Sequence, residues 1–279
     1  MNILIPVDFS SDYNSAVSYA SSLPGISTDK IYLFHVAMMP DFYVSELEDY
    51  GKYESELKSI IKKIHDSSLS KLREIKAKHF DKSSKVICKV IISKNVYKEI
   101  IHYSETLKCD LIIINESDTS RKIKIGSNTE RVVRLSNVPV MVMKNLSKSS
   151  VKKVVFASDF RSESVPVFSK LLNCFQTEYI SFRLLYINTK SDFEEYDVVK
   201  DRMEKFKKNF AGDFSIVIRA GKSVETSIVK YANSINADII AMGIKNKKGF
   251  SLYFTGRITE AVISLSELPV LVTNDTSLL

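Results

Sequence analysis

Residues 126–142 read GSNTERVVRLSNVPVMV, and residues 256–272 read GRITEAVISLSELPVLV. Extended to 126–144 against 256–274, the two stretches agree at nine of nineteen positions. Gly126/Gly256, Thr129/Thr259, Glu130/Glu260, Leu135/Leu265 and Pro139/Pro269 are among them. An internal repeat decides the fold before any local propensity does. The correspondence continues outward: CDLIIIN at 109–115 parallels ADIIAMG at 237–243, and ILIPVDFSS at 3–11 parallels VVFASDFRS at 154–162. The chain of 279 residues is therefore two versions of one module, residues 1–148 and 149–279, with the polar stretch 145–150 as the junction.

Each module alternates short apolar runs with amphipathic segments. In the first, Ile3–Val7, Lys30–Ala37, Val86–Ile92, Leu111–Ile114 and Val138–Met143 read as strands. Helices are expected over Asp12–Ser22, 52–80, Val96–Leu107 and Thr129–Leu135. The second module repeats the order, with a shorter second helix near Glu194–Phe210, a third strand at Phe214–Arg219 and a third helix near Val224–Asn233. Strands alternating with helices require parallel pairing and right-handed crossovers, and nearly continuous apolar strands require cover on both faces. The expected class is α/β, with two doubly wound five-stranded parallel sheets. Ligands of such sheets bind at the carboxyl ends of the strands.

The bulk numbers narrow the function. Hydrophobic residues make up 44% and charged residues 26% of the chain, as in ordinary globular proteins, and no apolar run is long enough to span a bilayer. A cytoplasmic protein without membrane attachment is expected. The net charge of +7 is spread over both halves, which does not make the focused stripe that nucleic acid requires. The lysine-rich face of 52–85 is interleaved with Glu54, Glu56, Asp66, Glu74 and Asp81 and reads as a solvated helix surface. Cys88, Cys109 and Cys174 form no CxxC pair, and His35, His65, His79 and His102 show no metal-ligand spacing.

Two places at the strand ends carry candidate chemistry. Asp8 and Asp159 each follow the first strand of a module and precede a helix. Such an aspartate either caps that helix or stands in the crevice as an acceptor for a ribose or an adenine. The second place is the loop after the fourth strand. The second module has Gly243-Ile244-Lys245-Asn246-Lys247-Lys248-Gly249 and then Gly256-Arg257, a basic glycine-flanked loop leading to a helix N-terminus, which suits phosphate. The first module departs from this: Asn115 stands where Gly243 stands, only Gly126 is left, and Glu116 and Asp118 bring negative charge. Phosphate binding there is expected to be weakened or absent, although Gly126-Ser127 is still able to begin a helix, with Ser127 as its cap.

These residues resemble the universal stress protein family in its tandem form, over almost the whole chain. PVDFS, the DLIIIN and DIIAMG strands and the GSNTERVVRLSNVPVMVMK segment carry the resemblance. It implies an adenine-nucleotide-type α/β domain with strand order 3-2-1-4-5. It also implies a phosphate loop G-x2-G-x9-G-S/T in those members that bind ATP. Carried over, the second module offers Gly243, Asn246 and Gly256, with Asn246 replacing a glycine and Arg257 replacing the final Ser/Thr. The first module keeps Gly126 and Ser127. The adenosine-side aspartate would be Asp8 or Asp159, and the apolar contact from the second strand Val36 or Ile187. Arg257 has two readings, a solvated side chain or a clamp on a phosphate.

The resemblance further implies that the two halves pair antiparallel through their fifth strands, Val138–Met143 and Leu268–Thr273, as an internal pseudo-dimer. Homodimerisation and protein partners are left open by the sequence. The expected function is a stress-response binding or signalling protein, with ATP and Mg²⁺ held, if at all, in the second half. The alternative is a scaffold that has lost nucleotide binding. No nucleophile–base pair or metal cluster appears in the sequence, so any enzymatic activity would be at most a slow ATPase.

Overall fold

The computed structural model describes residues 1–9, 14–22, 29–39, 50–82, 84–116, 126–144, 151–175, 180–212, 214–244 and 256–274. The N-terminal half runs β1 (Asn2–Pro6), α1 (Asn14–Ser22), β2 (Lys30–Met38), α2 (Tyr50–His79), β3 (Val86–Ser93), α3 (Val96–Thr106), β4 (Leu111–Asn115), α4 (Ser127–Leu135) and β5 (Val140–Met143). The C-terminal half runs β6 (Lys153–Ala157), α5 (Ser164–Leu172), β7 (Ser181–Thr189), α6 (Tyr196–Lys207), β8 (Phe214–Gly221), α7 (Val224–Ser234), β9 (Ile239–Ile244), α8 (Gly256–Leu265) and β10 (Val270–Asn274).

The ten strands form one sheet in the order β3-β2-β1-β4-β5-β10-β9-β6-β7-β8. Each half has the expected 3-2-1-4-5 order and is parallel throughout. The two halves meet antiparallel at β5 and β10, in the register Val142↔Val270, Met141↔Leu271 and Val140↔Val272. Met141 and Leu271 are equivalent positions of the repeat, so the pseudo-twofold axis passes between them. All four residues of β5 and all five of β10 are buried, and the strand edge each half would otherwise expose is closed by the other.

The repeated letters have repeated physical causes. Ser136 and Ser266 are buried at the ends of α4 and α8. Each hydroxyl accepts from the backbone N–H two residues on, at 3.1 and 3.0 Å, and donates to the carbonyl of that same residue. This ring fixes the turn into the fifth strand. Pro139 and Pro269, which cannot donate to the ladder, follow it, and their carbonyls accept from Ile112 and Ile240 of the fourth strands. The strands thus begin at Val140 and Val270, two residues later than the apolar run suggests. Asp110 and Asp238 serve the first strands: Asp110 accepts from Asn2 N–H at 2.6 Å, and Asp238 from Lys152 and Lys153 N–H at 2.9 and 2.8 Å.

Other boundaries shift modestly. The shorter second helix of the C-terminal half covers Tyr196–Lys207, and α4 begins at Ser127, two residues before the apolar period starts. In the C-terminal half the core on one face is aromatic, with Phe156, Phe168, Phe206, Phe210 and Phe214 in mutual ring contact. Cys109 and Cys174 are buried and Cys88 is half-buried, all three as free thiols.

Candidate functional site

The exit from the first strand is built alike in both halves. Phe9 and Phe160 take φ of +59° and +56°, a left-handed turn that β-carbon crowding disfavours by roughly 1 kcal/mol or more. Pairing continues one residue past each strand, with Val7 N–H donating to Phe34 O and Ser158 N–H to Leu185 O. The aspartate between these two features then projects from the carboxyl edge of the sheet.

From this common start the halves diverge. In the N-terminal half Asp8 is exposed and borders a cleft of about 470 Å³. The floor of the cleft is the carboxyl edge of β1, β2 and β4, from Val7, Val36 and Ile114; Val96 and Ile100 of α3 form a wall; and the first turn of α4, Ser127 to Thr129, closes the far side. Gly126 precedes that turn with φ −57° and ψ +140°, and no side chain caps the helix. The first backbone bond inside α4 is Glu130 N–H to Gly126 O. The earlier N–H groups are therefore left to face an acceptor in the cleft, with the positive end of the helix dipole behind them.

Two side chains bordering the cleft are fixed by the scaffold. Asn115 accepts from Ala16 N–H at 2.9 Å and so caps α1. His35 donates from Nδ1 to the Val7 carbonyl at 2.6 Å, since a carbonyl only accepts, and its ring lies 4.1 Å from that of Phe9. Burial pushes the His35 imidazole below the usual histidine range, opposed by that hydrogen bond and by the charge of Asp8. Glu116, expected to repel a phosphate, is instead drawn to Lys144 Nζ at 3.4 Å and is not part of the cleft lining. Asp118 lies outside the described residues.

In the C-terminal half Asp159 is 2% exposed and is held by its own turn. It accepts from Arg161 N–H at 3.2 Å and from the Ser164 hydroxyl at 3.0 Å, and Ser158 donates to Ser164 in turn. The Arg161 guanidinium stands 3.7 Å away. Asp159 is thus engaged by its own turn and by the hydroxyl of Ser164, the first residue of α5. Ile187 is buried in β7, and Gly243 is buried in β9, where it pairs with Thr273. Gly256 begins α8, with Arg134 of the other half so near that an added β-carbon would lie 3.3 Å from its Nε. Arg257 is exposed on the first turn. Lys245, Asn246, Lys247, Lys248 and Gly249 lie outside the described residues.

Beside Asp159 the structure adds a network with no local signature in the sequence. Glu194 receives two hydrogen bonds from Arg202, at 2.7 and 2.9 Å, and one from the Tyr186 hydroxyl at 2.9 Å. Chiefly through Arg202, its carboxyl is held below the usual carboxylate range. Eight residues separate Glu194 from Arg202, and only the fold of the turn between β7 and α6 brings them together. Among the N-terminal lining residues, Val96, Ile100, Asn128 and Thr129 are also absent from the sequence-derived set; helical periodicity places them on α3 and α4 but says nothing of a cavity. Among the described residues no group of three His, Cys, Asp or Glu side chains is arranged to hold a metal ion, and none of the helices is long and apolar enough to cross a membrane.

Two doubly wound α/β halves, joined antiparallel through their fifth strands, define a tandem α/β protein. The chain belongs to the universal stress protein family, whose model matches it twice, over residues 1–144 and 151–274. It is similar to a universal stress protein of Methanocaldococcus jannaschii, with 26% identity over 155 residues, covering 51% of this chain and 93% of the relative. A crystal structure of a universal stress protein from Archaeoglobus fulgidus shares the fold at TM-score 0.67 and 21% identity, covering 98% of this chain and 96% of that one. A functionally unknown protein of Pseudomonas aeruginosa does so at TM-score 0.67 and 16% identity, covering 99% and 93%.

Proposed function

We propose that this tandem universal stress protein is a stress-response binding protein that takes an adenine nucleotide in the cleft of its N-terminal half. One observation carries the reading: the cleft at the carboxyl edge of β1, β2 and β4 has an exposed carboxylate, Asp8, at one side and the uncapped first turn of α4 at the other. Its volume of about 470 Å³ falls within the ordinary range for small-molecule sites. Asp8 accepts from a ribose or a base, Val36 and Ile100 give the apolar contact, and the Ser127–Thr129 amides meet a phosphate. Magnesium would enter on the nucleotide's own phosphates.

The sequence favours the other half for a triphosphate, through Asp159, Ile187, Gly243, Asn246, Gly249, Gly256 and Arg257. The occupied state of Asp159 supports a structural role for that residue, and the Glu116–Lys144 ion pair offsets one of the two acidic charges counted against the N-terminal half. Calorimetric titration of the full chain with ATP, ADP and adenosine, with and without Mg²⁺, tests the reading. The expected result is one site per chain, weakened about tenfold by Asp8→Ala, as the loss of a hydrogen bond to a charged group implies, and indifferent to Arg257→Ala. Binding lost with Arg257→Ala and kept with Asp8→Ala would move the site to the C-terminal half. No binding of any adenine compound would leave the scaffold reading.

A further inference from the structure

The sulfur atoms of this chain are shielded almost everywhere. Of its seven methionines, Met141, Met143, Met203 and Met242 are buried. The Met1 side chain is 8% exposed, and Met39 is half-buried. The three cysteines are also protected. Burial pushes the Cys109 and Cys174 thiols up to about 12 and the Cys88 thiol above its usual range. Such thiols stay protonated near neutral pH and are poor nucleophiles. Met38 alone among these sulfur residues is exposed, at 60%.

Met38 also belongs to the cleft. It ends β2, where pairing with Ser93 of β3 fixes its backbone. Side chains two apart along a strand share a face, so Met38 continues the row of Phe34 and Val36, and all three line the cleft. Phe34 and Val36 are buried, which leaves the Met38 thioether as the part of this apolar row nearest solvent. A hydroperoxide arriving from solvent transfers its terminal oxygen there. A sulfur lone pair attacks that oxygen, the O–O bond breaks, and the peroxide's own proton passes to the departing oxygen, which leaves as water or an alcohol. Sulfur is oxidised by two electrons and the peroxide is reduced by two. The sulfoxide is polar where the thioether was apolar, and it has to be stripped of water whenever a ligand packs against that row.

We propose that Met38 is an oxidation site, and that its conversion to the sulfoxide by a hydroperoxide lowers the ligand affinity of the N-terminal cleft; this rests on the nucleotide reading of that cleft. The test treats the full chain with millimolar hydrogen peroxide and stops the reaction at intervals. Each sample is mapped by peptide mass spectrometry and titrated calorimetrically with the adenine compound that binds the untreated chain. The Met38 peptide is expected to gain one oxygen about tenfold faster than the peptides of the buried methionines, since susceptibility follows exposure. Affinity falls about tenfold in step with it, as the loss of about half a methionine side chain's apolar contact implies. Sulfoxide reductases acting on both epimers restore it. Met38→Gln binds about tenfold more weakly than the parent with no peroxide added, and the affinity of Met38→Leu does not change with peroxide. The position is exposed, so unchanged thermal melting shows that the fold is kept. Equal oxidation of the buried methionines, binding undiminished by sulfoxide at Met38, or a peroxide-dependent loss that persists in Met38→Leu overturns the proposal and leaves the nucleotide reading standing. Absence of adenine binding before any treatment overturns the nucleotide reading, and the switch with it.

Discussion

The Asn274 side-chain amide, at the last residue of the C-terminal half's edge strand, donates to the Ser136 carbonyl of the N-terminal half at 2.8 Å. It also reaches the carbonyls of Val133 and Arg134, at 3.0 Å each, so that it covers the C-terminal end of α4. The equivalent residue of the other half is Lys144, whose ammonium donates to the Ser264 carbonyl of α8 at 2.7 Å. Each half thus supplies the C-cap of the other's last helix, by different chemistry at the same position of the repeat. Arg134 adds an ion pair to Glu260 at 2.5 Å across the same seam.

Removing the Asn274 cap should be costly, because the carbonyls it serves are buried. Asn274→Leu is expected to destabilise the chain by about 2–3 kcal/mol, the range for stranding buried acceptors. Lys144→Met removes both the cap on the Ser264 carbonyl and the ion pair of the largely buried Glu116 carboxylate, and should cost about 1–3 kcal/mol. Urea unfolding followed by circular dichroism measures both, and a loss below about 0.5 kcal/mol for either would refute the reciprocal capping.

The seam itself should not tolerate charge. Leu271 is fully buried opposite Met141 at the pseudo-twofold axis. Leu271→Asp is expected to cost more than about 3 kcal/mol, whereas Leu271→Met should cost less than about 1.5 kcal/mol because it conserves volume. Thermal melts of the two variants give the comparison. A mild effect of the aspartate would show that the halves are stable without their shared strands.

The two aspartates of the repeat should separate cleanly. Asp159→Ala removes a buried acceptor of the turn and strands Ser164, for an expected loss of about 1–3 kcal/mol in stability. Asp8→Ala, at an exposed position, should change stability by less than about 0.5 kcal/mol while it weakens nucleotide binding. Paired denaturation and titration of both variants would reveal any reversal of these roles.

Acid should weaken the Glu194–Arg202 tie. Its folded carboxyl is held below the usual range, chiefly by Arg202. The stabilisation is therefore fully present above the unfolded carboxylate range near pH 4.3 and is lost as pH falls through the depressed folded value. Glu194→Gln should be less stable than the parent at neutral pH, by about 1–3 kcal/mol for bonds to a charged group, and the two should converge as pH falls through the depressed folded value. Urea midpoints measured across that window decide it; a gap that persists in acid would assign the effect to packing.

The repeat and its alternation of strand and helix were legible from the letters, and the strand order followed from the family resemblance they carry. Gly126 and Gly256, the Leu-Ser-x-x-Pro turns and the Asp110/Asp238 pair recur at fixed offsets, and each performs a local backbone task that any copy of the module must perform. Local tasks leave local signatures: a serine that rings a turn, an aspartate that caps a strand, a proline where a ladder begins. The fifth-strand pairing followed from the family resemblance and from unbroken apolar edges that had to be covered.

The tertiary structure alone decided how the two halves differ. Asp8 and Asp159 have near-identical neighbours in sequence, yet one borders a cleft and the other is closed in by Arg161, Ser164 and the nearby Glu194–Arg202 tie. The sign of Glu116 argued against an anion until Lys144, from the end of β5, was found beside it. Burial and pairing are sums over groups distant along the chain, so no short stretch encodes them. Repetition in sequence therefore determined the architecture, and the contacts each copy makes through space determined that Asp8 is exposed beside a cleft while Asp159 is buried.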